Sequence, residues 1–283
     1  MAQIPTHELN DGHQIPAIGF GTYPMKGDDC VTAVKSALHA GYRLIDSAVN
    51  YGNELEVGQG IREFLEETGT PRSEVTVQTK LPGRHHDFDA AVNSIEVSFD
   101  KMQLETLDVV LIHWPNPITD KYRDAWKGLM EARDRDFVRT IGVSNFTEEH
   151  LQHVADDTGV VPAINQIELH PYFNQSAMRT FHAEMGIVTQ SWSPLGKRQA
   201  PYDETAVKAA AEAHGVTPAQ VILRWQVQLG NVPLPKSATP SRQVENLDVF
   251  GFELTGTELG AINALTQPDG RLFGGDPNTH EEM

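Results

Sequence analysis

GFGTYP, residues 19 to 24, is where two candidate folds part. Gly19 and Gly21 have the first two spacings of GxGxxG, by which a doubly wound sheet brings a helix N-terminus to a pyrophosphate. The third position is Pro24, so the fingerprint fails. Around it runs a longer alternation. Short apolar runs occur at AIGF (17–20), RLID (43–46), VTVQTK (75–80), LDVVLIH (107–113), RTIGVS (139–144), AINQIE (163–168), IVTQSW (187–192) and VPLPK (232–236). Such near-continuous runs suit parallel strands covered on both faces. Between them lie stretches such as 28–41, 53–69, 89–103 and 120–136, with apolar residues three and four apart, the helical spacing. Asn53 and Thr217-Pro218 mark helix starts, and Gly41 and Gly69 mark stops.

Eight strand–helix units with no linker between them predict an α/β fold, a single (β/α)8 TIM barrel spanning residues 1–283 as one domain. HELNDGHQIP (7–16) predicts an N-terminal hairpin turning at Asp11-Gly12. Segments 203–214 and 217–229 both precede the last strand, so one is an extra helix, and 255–266 predicts a second after the eighth unit. The tail QPDGRLFGGDPNTHEEM (267–283) reads as a C-terminal loop.

Composition narrows the function. With 39 acidic against 22 basic residues, the net charge is −17, the opposite of a nucleic-acid surface. The one cysteine, Cys30, forms no internal disulfide and fits a reducing compartment as a buried hydrophobe. The N-terminus lacks the basic and apolar regions of a signal peptide, and no run approaches a membrane span. The expectation is a cytoplasmic monomer acting on a small molecule, with no nucleic acid and no membrane as partner.

In a barrel the chemistry sits at the C-terminal strand ends. Read in order, those ends carry Asp46, Lys80, His113, Ser144-Asn145, Gln166, Trp192 and Lys236-Ser237. Any one has an ordinary reading: a histidine after an apolar strand is usually a hydrogen-bonded core residue, and a strand-end lysine is usually solvated. Together at one mouth they suggest proton transfer beside Tyr51. A free phenol has a pKa of about 10, too high for an efficient acid at neutral pH, and a nearby ammonium lowers it. Lys80 supplies that ammonium in this reading, Asp46 braces Lys80, and His113 orients the oxygen being protonated. His85-His86 reads as surface, and without a paired ligand cluster or an HExxH no metal is expected.

GYRLIDSAVNYGNELEVG (41–58), RTIGVSNF (139–146) and LPKSATPSR (234–242), with VTVQTK and LIHWP, are similar to the motifs of the aldo-keto reductases. Trp192 and short loops resemble the bacterial branch that includes 2,5-diketo-D-gluconate reductases. The resemblance implies NADPH-dependent reduction of a small-molecule carbonyl substrate by a tetrad of Asp46, Tyr51, Lys80 and His113. It implies cofactor contacts from Gly21, Thr22, Asp46, Ser144, Asn145, Gln166 and Trp192 around the nicotinamide. Ser193, Leu195 and Gly196 would pass the pyrophosphate. Lys236, Ser237, Ala238 and Arg242 would hold the 2′-phosphate, with Glu245 and Asn246 near the adenine. Two cations flanking a serine before a helix suit a phosphate dianion on their own account. The substrate wall would comprise Tyr23, Asn50 and Trp114 over Tyr51 and His113, with the Asn50 amide facing the substrate across a shallow, open mouth. Two other readings exist. One is a non-catalytic cofactor-binding subunit, similar to those of potassium channels, for which no docking segment is evident. The other is a lyase using Lys80 as a Schiff-base nucleophile, which a carboxylate-braced ammonium disfavours.

Overall fold

The computed structural model describes residues 4–197, 201–268 and 270–283. Strands β1 (Thr6–Glu8) and β2 (Gln14–Pro16) pair antiparallel as the predicted hairpin. The remaining strands form one parallel sheet in chain order: β3 (Phe20–Gly21), β4 (Leu44–Asp46), β5 (Thr76–Leu81), β6 (Leu107–Ile112), β7 (Val138–Ser144), β8 (Ile164–Glu168), β9 (Val188–Trp192) and β10 (Val232–Pro233). The sheet curls until its edges meet, where the amides of Gly19 and Gly21 donate to the carbonyls of Pro233 and Pro235 at 3.0 and 3.1 Å. Gly19 leaves room there: an added Cβ would sit 2.7 Å from the Leu44 side chain and 2.6 Å from that of Leu234, which would have to shift. Those two glycines therefore serve barrel closure. The last strand is shorter than its apolar run, because Pro233 and Pro235 carry no N–H for a ladder.

Leu44, Val109, Leu111, Ile164, Val232 and Leu234 fill the barrel, and Leu9 and Ile15 of the hairpin join them from the N-terminal end. Outside the sheet, α1 (Gly27–Ala40), α2 (Glu54–Thr68), α3 (Phe88–Met102), α4 (Tyr122–Asp134), α5 (Glu148–Thr158) and α6 (Ser176–Met185) each follow a strand. Their apolar stripes bury a second core that includes Trp126, Phe64 and Leu129. The two extra helices are present as α7 (Thr205–His214), before α8 (Pro218–Gln228), and α10 (Gly256–Asn263), after α9 (Pro240–Leu247). They pack around Trp225 in a third cluster with Val207 and Ile262.

Cys30 lies buried on α1, and that burial pushes its thiol up to about 12. His86 departs from expectation. It is not a surface residue but 1% exposed, and burial lowers its ring to about 4. No helix among the described residues is long and apolar enough to cross a membrane.

Candidate active site

Three strand ends and one turn converge at the barrel mouth. Asp46 closes β4, and Lys80 lies near the end of β5 with none of its surface exposed. The Lys80 ammonium donates to Asp46 Oδ1 at 2.6 Å, to the Ser47 carbonyl at 2.8 Å and toward the Tyr51 hydroxyl at 3.4 Å. Tyr51 arrives on a 3-10 turn, Val49–Tyr51, which Gly52 ends in a left-handed conformation. Asp46 Oδ1 also accepts from the amides of Gln78 at 2.6 Å and Gln166 at 3.1 Å. Gln190 ties those two together, with hydrogen bonds of 2.9 Å to each. This ring of glutamines satisfies a carboxylate that is costly to bury. Sequence reading missed Gln78 and Gln190, although an amide in the middle of an apolar strand was a visible signal for an inward-facing polar layer.

Burial lowers the Lys80 ammonium, against the raising influence of Asp46. Burial also pushes the Tyr51 phenol well above its ordinary value, and the Asp46 and Glu282 carboxylates push the same way. The expected lowering by Lys80 is therefore not the net result, because burial dominates and Asp46 at 2.6 Å offsets the lysine at closer range than the phenol sees it. Tyr51 holds its proton at neutral pH.

His113 follows β6, with its ring centroid 5.8 Å from that of Tyr51. Its Nδ1 lies 2.8 Å from Oε1 of Glu282, a close contact without the alignment of a full hydrogen bond. The tail reaches this point by crossing the mouth. His280 stacks on Trp114 at 4.2 Å, and Gly275 abuts the same indole. Asn116 donates to the Glu282 carbonyl at 2.5 Å and accepts its amide at 3.1 Å. Two expectations fall here. The Asn50 amide does not face the substrate, because it donates to Glu282 Oε1 at 2.7 Å and accepts from Arg84. The mouth is also not open on that side, because the C-terminal loop lies across Trp114, leaving it 9% exposed. Tyr23 stays half-exposed, 5.0 Å from the Tyr51 ring.

The other predicted residues line a path from this mouth. Ser144 donates to the Gln166 carbonyl at 2.8 Å, and the Asn145 amide bonds the His113 carbonyl and Ser144 Oγ, each at 3.0 Å. Trp192 donates to Asn145 Oδ1 at 2.7 Å and meets Phe273 of the tail at 5.5 Å. The nitrogen of Gln166 is committed to Asp46 and Gln190. Thr22 is buried and donates to the Asp46 carbonyl at 2.9 Å. Ser193 and Gly196 turn through positive φ, and Leu195 packs on the core. Lys236, Ala238 and Arg242 are exposed at the start of α9, where Ser237 Oγ accepts the Thr239 amide at 3.0 Å. Neither Lys236 nor Arg242 is within salt-bridge distance of a carboxylate among the described residues, in a chain of net charge −17. Glu245 instead accepts from Thr217 at 2.9 Å, and Asn246 is buried beside it on α9.

A closed parallel barrel with a Tyr–Lys–Asp cluster at its C-terminal mouth, and two cations at a helix start that have no carboxylate partner among the described residues, defines a nucleotide-dependent oxidoreductase type of site. The Aldo/keto reductase family model matches residues 17–267, and the chain belongs to that family. It is 52% identical to 2,5-diketo-D-gluconic acid reductase B of Corynebacterium sp., over 100% of both chains. Among solved structures it is similar to Gox0644 at apoform (TM-score 0.93, 42% identity, 99% of this chain and 100% of that one). A Gox0644 mutant in complex with NADPH matches with a TM-score of 0.92 and 41% identity over 99% and 100%.

Proposed function

We propose that the chain, acting as one barrel domain, reduces aldehydes and ketones to alcohols with NADPH, on small dicarbonyl or keto-sugar substrates. The supporting observation is the Lys80 ammonium shared between Asp46 and the Tyr51 hydroxyl at the mouth of a barrel whose family is that of carbonyl reductases. The substrate range follows from the narrow site and from the diketo sugar acid in the name of the Corynebacterium relative. We take the chain to be a cytoplasmic monomer.

The residues present fit the cofactor. Lys236 and Arg242 have no ion-pair partner among the described residues and sit at the start of α9, where backbone N–H groups and the helix dipole also favour a phosphate. Ser144, Asn145, Gln166 and Trp192, gathered at the ends of β7, β8 and β9, are the residues that would border a nicotinamide. When bound, NADPH supplies the hydride that reduces the carbonyl carbon.

The chain's own residues handle orientation and the proton. His113 orients the carbonyl oxygen through Nε2, because Nδ1 is taken up by Glu282. Tyr51 donates its phenolic proton as negative charge develops on that oxygen. A phenol above 10 remains strong enough, because an alkoxide is a base comparable to hydroxide, whose conjugate acid, water, has a pKa of about 15.7. The Lys80 ammonium, held in place by Asp46, stabilises the phenolate that remains. The Lys80 amine is fully buried and already hydrogen-bonded, which disfavours the Schiff-base alternative. Tyr51→Phe should lower kcat/KM for a dicarbonyl by about 100-fold or more, the usual worth of a positioned acid. NADPH affinity, read by tryptophan quenching, should stay within about two-fold. A variant keeping most of its turnover would remove Tyr51 from the proton-donor role.

A further inference from the structure

Glu282 is placed where no tail anchor is needed. The segment is already secured by the paired Asn116 contacts, by His280 on Trp114, and by Glu281, which accepts from the Ile118 amide at 2.7 Å and the Thr119 hydroxyl at 2.5 Å. None of these requires a carboxylate at position 282. Yet the Glu282 side chain is only 14% exposed, with Oε1 2.8 Å from His113 Nδ1 and 2.7 Å from the Asn50 amide nitrogen. Its second oxygen, Oε2, is buried with no hydrogen-bond partner. An unpartnered buried carboxylate oxygen costs free energy that a purely mechanical strap would not carry. Burial acts to raise the group, but His113 and Asn50 hold it below its ordinary carboxylate value, so it is anionic at neutral pH. Apart from His113, whose ring pairs with Glu282 as a cation only when protonated, nearby positive charge is already engaged: Arg84 is directed onto the Asn50 oxygen, and Lys80 onto Asp46.

We propose that Glu282 is a specificity-determining residue whose fixed negative charge beside His113 turns away substrates bearing a carboxylate next to the reacting carbonyl. The inference rests on the carbonyl-reductase reading and narrows its substrates to those that are neutral around the reacting carbon. A carbonyl oxygen held by His113 Nε2 brings its neighbouring substituent to about one imidazole width plus two hydrogen bonds from Glu282, roughly 7 Å. At that range and an effective dielectric of about 20, two like charges repel by about 2 kcal/mol, more than the factor of ten in binding that about 1.4 kcal/mol represents.

The test uses pyruvate and methyl pyruvate, which share the reacting ketone and differ in charge. kcat/KM for each is measured with saturating NADPH in the wild type and in Glu282→Gln, which keeps the side-chain shape. A second variant, Asn116→Ala, loosens the tail while leaving the carboxylate in the chain. The wild type should favour the ester, and the acid-to-ester ratio should rise at least ten-fold in Glu282→Gln and move the same way in Asn116→Ala. A ratio unchanged within about two-fold in Glu282→Gln would overturn the proposal, including when both substrates slow together, as a purely positioning role would give. Failure of the wild type to reduce either compound or any other carbonyl would count instead against the reductase reading.

Discussion

His182 shows how a single ring can tie stability to pH. Asn165 donates to its Nε2 at 2.9 Å, so the ring proton sits on Nδ1 and faces Thr189 Oγ1 at 2.8 Å. A second proton would confront the Asn165 amide, and burial lowers the ring from 6.5 to about 4. His86, buried without partners, is lowered by burial to the same value. Between these values the unfolded chain binds more protons than the folded one. The contribution is thus fully present above pH 6.5 and is lost as pH falls toward 4, by up to about 3 kcal/mol for each ring. Urea denaturation between pH 7 and pH 4 should show this loss, with a shallower decline in His182→Gln. An equally steep decline in that variant would show that other groups carry the acid sensitivity. Neither histidine was legible as buried in the sequence, because polar neighbours in HHDFD gave no sign of the tail that covers His86.

At the scale of elements, the proposed grip on the cofactor's 2′-phosphate lies at the start of α9. Pro240 begins this helix, and Lys236 and Arg242 flank its exposed N-terminal end. Arg242→Ala should raise the KM for NADPH about ten-fold or more, the worth of one charge-assisted contact to phosphate, while changing that for NADH by less than two-fold. Equal losses for both cofactors would move the 2′-phosphate elsewhere. This cluster was readable from LPKSATPSR alone, since charge and helix-start signals are local. The strands were readable for the same reason: an apolar run buried on both faces is written in consecutive residues. Their ends were less so, because Pro233 and Pro235 shorten the last ladder while leaving the run apolar.

Across the whole molecule, the barrel converts a one-dimensional order of strand ends into a ring, which is why Asp46, Lys80, Tyr51 and His113 could be placed together from their positions. The tail obeys no such rule. Contacts such as Glu282 to Asn50 span 232 residues and depend on the final shape of the mouth, not on any periodicity. That is why the mouth was expected open and the Asn50 amide free, and why Glu282 went unnoticed. The glutamine ring behind Asp46 was partly visible, since Gln166 was picked out and its neighbours in the layer were not.

At this mouth the hydride of the cofactor and the proton of Tyr51 are proposed to meet on one carbonyl. NADPH labelled with deuterium at the transferable C4 position, incubated with the wild-type chain and a neutral dicarbonyl in ordinary water, tests it directly by mass spectrometry of the alcohol. One deuterium on the carbinol carbon for each NADPH consumed is the predicted result. An alcohol without the label, or NADPH consumption independent of the carbonyl, would contradict it.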